Sequence, residues 1–205
     1  MLQLKEKKER RLGERLFLKG ERCLGPKCAS VRRNYPPGPR ATKHGRKSPS
    51  EFSDLARTKQ KIRYLYRLDD KALERYTKTA AEQGGVFGKN FIQILERRLD
   101  NIVFRLGLAL SRSHARQLVS HGNVLVNGRK VNIASYLVRV KDTIALKARV
   151  RKTDAAAMKP RRAPEPPQWL SADPQARTGT VTRLPDMEAT ELGADLAKIK
   201  EFYFR

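Results

Sequence analysis

Acidic residues are scarce in this chain. Only 21 Asp and Glu stand against 45 Lys and Arg in 205 residues, a formal net charge of +24 at pH 7. An excess of that size points to a polyanionic partner. Long apolar runs are also missing: no stretch of ~18 apolar residues occurs and Met1 to Arg15 is charged throughout, so neither a membrane span nor an apolar leader is expected, and the reading is a soluble, unprocessed protein. Cysteine is confined to Cys23 and Cys28, too few for a disulfide framework, and the pair reads as two reduced thiols in the cytoplasm. A Gly-rich phosphate loop, a nucleophile elbow and paired carboxylates in an apolar setting are absent too, so no catalytic residue is named and no enzyme is expected.

The charge is uneven. Residues 1–98 hold 26 basic and 11 acidic side chains, residues 99–151 hold 10 and 2, and residues 152–205 hold 9 and 8, so the first three quarters carry the polyanion footprint. Residues 1–49 alternate basic runs with turn formers such as Gly25-Pro26 and Pro36-Pro37-Gly38-Pro39 and read as a basic, loop-rich arm, unable to pack a core unaided. Helical periodicity then predicts helices over 50–66, 69–83 and 90–106, with Ser50 as a cap and Gly84-Gly85 as a stop. Ser111 opens a shorter helix that closes at Gly122. Val124 to Val126, Asn127-Gly128 and Arg129 to Val131 spell a hairpin with a type I′ turn, and strands are expected at 136–140 and 143–146. The fold class is therefore α+β. A helical domain at 50–94, completed by 152–205, would carry an inserted RNA-binding α+β module at 95–151; a proline-rich linker would precede a C-terminal tail whose Trp169, Leu170, Val181, Leu184 and Phe202-Tyr203-Phe204 pack back on the helical domain.

Arg112 and Arg116 lie four residues apart, on one helical face, with Ala115, Leu118 and Val119 on the other. That spacing offers two guanidinium forks to phosphates. Arg105, Arg129 and Lys130, with Asn127 at the hairpin tip, extend the same basic surface, opposed only by Asp100 and Asp142. In the arm, Arg10, Arg11, Arg32, Arg33, Arg46 and Lys47 are candidates for ordering on RNA. Cys23 and Cys28 make half a metal site, with His44 the only nearby imidazole, so no metal and no cofactor are expected.

Three segments are specific enough to name a likeness: Arg97-Arg98-Leu99-Asp100-Asn101-Ile102-Val103-Phe104-Arg105, the run from Ser111-Arg112 through Ala115-Arg116-Gln117-Leu118-Val119 to His121-Gly122, and Val126-Asn127-Gly128-Arg129-Lys130-Val131. Together they resemble the bacterial-type small-subunit ribosomal protein four family. The likeness extends to Leu18 to Cys23, Tyr35 to Gly38, Lys59-Gln60-Lys61, Trp169-Leu170, Arg183 to Asp186 and Glu201 to Tyr203, nearly the whole chain. The module alone also resembles domains of pseudouridine synthases and a tyrosyl-transfer-RNA synthetase, but about fifty-five residues follow it here, too few for a catalytic domain. What the resemblance implies is a non-enzymatic, primary binder of 16S ribosomal RNA that helps nucleate the body of the small subunit, lies near the messenger-RNA entrance, touches ribosomal protein five and contributes to translational accuracy. The alternatives are an RNA-modifying enzyme carrying the same module, and a free-standing RNA chaperone or translational repressor. It also implies RNA-binding roles for Lys19, Arg22, Lys59, Lys61, Arg63, Arg97, Gln117 and His121, and a messenger-facing place for Arg46 and Lys47. Two departures stand out. Zinc-binding family members carry a Cys-x-x-Cys pair where this chain has Glu6 and Glu9, and several residues are inserted between Gly38 and His44.

Overall fold

A computed structural model of the chain describes residues 5–38, 50–151, 166–173, 175–186 and 195–205. Arg46, Lys47 and most of the expected linker lie outside these. The chain divides into two compact units, Met1–Thr77 with Leu192–Arg205, and Lys78–Glu191.

In the first unit the arm is more ordered than its turn formers predict. It forms α1 (Lys5–Leu12), a 3-10 turn at Gly20–Cys23 and α2 (Ala29–Arg32). Leu12, Leu16, Cys23 and Cys28 are buried. The organising group is a carboxylate: Glu9 accepts from the Leu18 N–H at 2.9 Å and from the Ser30 hydroxyl at 3.3 Å, tying the segment after α1 to α2. The helix α3 (Glu51–Leu65) starts where Ser50 accepts from the Ser53 N–H, and buries Leu55 and Ile62 two turns apart. Along α4 (Asp70–Glu82), Leu73, Tyr76, Thr77 and Ala80 make one buried stripe. The terminal helix, α9 (Leu196–Phe204), is capped by Asp195 and packs on α3, where Phe202 stacks on Phe52 at 5.8 Å.

The second unit holds α5 (Phe87–Glu96), α6 (Leu99–Arg105), α7 (Arg112–Ser120), α8 (Ala148–Arg151) and an antiparallel sheet of order β2-β1-β3-β5-β4. Its strands are β1 (Val124–Val126), β2 (Arg129–Val131), β3 (Thr143–Leu146), β4 (Leu170–Asp173) and β5 (Thr178–Val181). Asn127 and Gly128 both have positive φ, 50° and 77°, as a type I′ turn requires. Leu99, Ile102 and Val103 of α6, with Ala115 and Val119 of α7, pack into one apolar core with the sheet.

Three expectations are corrected here. The single helix over 90–106 breaks at Arg97-Arg98. Arg98 turns extended (φ −63°, ψ 135°) and bridges Leu137, while Val138 N–H donates to Arg97 O and Leu99 N–H to Tyr136 O. Residues 136–140 accordingly spend their backbone on that break instead of forming a strand. Finally, Trp169, Leu170 and Val181 do not pack on the helical domain. They enter the core of the second unit, because β4 and β5 extend its sheet beyond β3, while Leu184 is exposed.

Candidate nucleic-acid interface

The helix α7 begins at Ser111, whose hydroxyl accepts from the His114 N–H, and it buries Ala115, Leu118 and Val119. Arg112, Arg116, Gln117 and His121 therefore lie off its buried face, Gln117 and His121 exposed and the two arginines partly so. Next to the end of this helix, the aliphatic stem of Lys130 lies against Gly122, where φ is +66° and a Cβ would overlap it. That contact places the basic edge strand β2, with Arg129 and Lys130 exposed, beside α7. Both acids of residues 99–151 are already engaged within the fold. Asp100 is buried against Arg98 at 2.8 Å, and Asp142 accepts from the Asn127 amide and the Arg139 N–H, each at 2.8 Å. Burial holds the His114 imidazole below its ordinary pKa, and its Nδ1 accepts from the Leu110 N–H, so it serves the fold as a neutral ring.

Three of the expected contacts also have side chains engaged within the fold, as Arg112 does through its Nε bond to Asn101. Arg105 is buried, its guanidinium gripping the fully buried Glu96 with two hydrogen bonds of 3.1 Å, so its charge is consumed inside the protein. Asn127 uses its side chain on Asp142 and on the Thr143 N–H, locking the hairpin tip to β3. Arg97 donates to Val138 O.

Arg112, Arg116, Gln117, His121, Arg129 and Lys130 are the expected contacts that lie at least partly exposed on α7 and the adjoining strand β2. Residues 97–144, which hold all of them, match the profile of the S4 domain, and residues 3–96 match that of the ribosomal protein S4/S9 N-terminal domain. Among similar proteins, the small ribosomal subunit protein uS4 of Halothermothrix orenii is 46% identical over 200 residues, spanning 96% of this chain and 94% of the relative. That of Desulfitobacterium hafniense is 44% identical over 203 residues, and that of Thermus thermophilus 43% over 201, with the same coverage. The chain belongs to the ribosomal protein S4 family.

In this S4-family chain the first unit holds its basic residues differently. Lys19 and Arg22 flank Glu6 at 2.9 and 3.4 Å; Lys59 and Arg63 share Asp70 at 3.1 and 3.0 Å; Lys61 pairs with Glu14 at 2.6 Å. Arg10 donates to the carbonyls of Arg33 and Tyr35. Arg11, Arg32 and Arg33 are exposed.

The family's zinc position can be tested on its donors. Glu9, Cys23 and Cys28 bring a carboxylate oxygen and two sulfurs within 4.8 Å of one another, so among the described residues Glu9 is the group that joins the thiols, and His44 lies outside those residues. Both Glu9 oxygens already accept hydrogen bonds, and Glu6, the other upstream position, is turned to Lys19 and Arg22. Burial, with help from Glu9 and Cys28, pushes the Cys23 thiol up to about 11. Among the described residues, three donors with an engaged carboxylate do not make the four-donor tetrahedral set a structural zinc takes.

Proposed function

We propose that this chain is a structural component of the small ribosomal subunit and works by binding ribosomal RNA, not by catalysing a reaction. The observation that carries the reading is the part of α7 off its buried face: Arg112, Arg116, Gln117 and His121 beside the exposed Arg129 and Lys130, with both nearby acids engaged internally. Such a surface gains affinity by neutralising phosphates, while helix and hairpin fix the register on a folded RNA. Relatives that cover nearly the whole chain carry the name small ribosomal subunit protein uS4. In finer detail, the chain is a primary binder of 16S ribosomal RNA in the cytoplasm that helps nucleate the subunit body. It contacts protein five and lies near the messenger-RNA entrance, with a bearing on accuracy; the family position of Arg46 and Lys47 supports a messenger-binding role for them. Sedimentation decides between this and a free-standing chaperone or repressor. A ribosomal component stays with small subunits through a high-salt wash at one copy per particle; release into the supernatant at moderate salt overturns the reading.

A further inference from the structure

The α7 surface is connected to the most deeply buried charges of the second unit through one amide. Glu96 is fully buried at the end of α5, and its Oε2 accepts from the Asn101 Nδ2 at 2.7 Å as well as from Arg105. Asn101, itself only 2% exposed, also donates from Nδ2 to the Glu96 backbone carbonyl at 3.2 Å. These bonds fix which way the amide points: a flipped Asn101 would set its oxygen against the Glu96 carboxylate. The oxygen is therefore committed to the other side, where it accepts from the Arg112 Nε at 2.9 Å. One turn further along α6, Phe104 lies beneath the same guanidinium, 4.6 Å from the ring centroid to Cζ. Arg112 is thus held from its edge by an oriented amide and from its face by an aromatic ring.

We infer that Asn101 is a positioning residue for RNA binding. Anchored by Glu96 and assisted by Phe104, it holds the Arg112 guanidinium in one geometry, so the side chain is ordered before RNA arrives. The inference rests on the proposal that Arg112 faces RNA. Ordering a long side chain costs free energy on binding, and pre-ordering removes that cost. Losing Asn101 leaves the charge of Arg112 in place and removes only its order.

The test is a double-mutant cycle read as affinity for small-subunit ribosomal RNA across a salt series, with thermal melts of every variant. Arg112→Ala is expected to weaken binding and to flatten the log–log salt slope by roughly 0.7–0.9, one phosphate contact. Asn101→Ala is expected to weaken binding about two- to tenfold at every salt concentration, the cost of one mobile side chain, with the slope unchanged. In the Arg112→Ala background it should have no further effect. Because Asn101→Ala also takes a donor from Glu96, Phe104→Leu serves as a second variant that leaves the buried pair alone, and it should show the same dependence on Arg112. If Arg112→Ala binds as wild type, the RNA reading of α7 fails. If Arg112→Ala weakens binding while Asn101→Ala and Phe104→Leu leave affinity unchanged, or weaken it equally without Arg112, the positioning role is overturned and the RNA reading stands.

Discussion

At Glu9 a carboxylate lies 2% exposed beside two buried thiols, and the hydrogen bonds it accepts join the segment after α1 to α2. A buried acceptor of that kind is costly to remove, because the Leu18 N–H and the Ser30 hydroxyl lose their partner. Glu9→Ala should cost about 1–3 kcal/mol of stability, seen as a lowered melting temperature. The same geometry predicts a purified protein without stoichiometric zinc, measured by elemental analysis after dialysis. About one zinc per chain, lost in Cys23→Ser, would overturn this and show that further donors complete the half site of the two thiols. Cysteine spacing alone shows half a site; it does not show Glu9, because the third donor arrives through the fold of α1 against α2. The arginines of α7 were easier to place. Arg112 and Arg116 follow from helical spacing, whereas the capture of Arg105 by Glu96, nine residues away and across a helix break, leaves no periodic trace in the sequence.

Gly179 in β5 is where the added strands are keyed to the helices. A Cβ there would overlap the Leu106 side chain and come to 3.0 Å from the Ser171 carbonyl of β4. Leu106 is itself buried, so it has little room to yield. Gly179→Ala should therefore destabilise the second unit by about 1–3 kcal/mol, and Trp169, the only tryptophan and part of that core, reports the loss through its fluorescence transition. A wild-type midpoint would mean that Leu106 moves aside at no cost. The hairpin was legible because Asn127-Gly128 sets its own backbone. The break between α5 and α6 was not, since neither Gly nor Pro marks it and the pairing of Arg98 with Leu137, thirty-nine positions on, imposes it. For the same reason β4 and β5 were missed as strands and their apolar residues assigned to the other core: their alternation is short, and only the open edge of β3 decides where they go.

Across the whole molecule the excess of 45 basic over 21 acidic groups is not evenly available to RNA. In the first unit several cations sit in ion pairs with Glu6, Glu14 and Asp70, whereas Arg129 stands exposed on the edge strand β2, beyond the engaged Asp100 and Asp142. A fork that neutralises one phosphate releases condensed counterions, so its contribution falls with salt. Arg129→Ala should weaken binding to small-subunit ribosomal RNA at low salt, flatten the log–log slope by roughly 0.7–0.9, and leave the circular-dichroism melt unchanged. Two other single changes separate charge from fold. Arg105→Ala removes an equal charge but strands Glu96 in the core, and it should cost about 3–5 kcal/mol, with RNA binding lost only as the protein unfolds. Leu118→Ala carries no charge at all and should behave the same way at about 2–5 kcal/mol. The measurement is RNA affinity over a salt series beside melts of all three variants. If Arg129→Ala stays folded and binds like wild type at every salt concentration, the edge strand is merely solvated, and the RNA surface must be confined to α7.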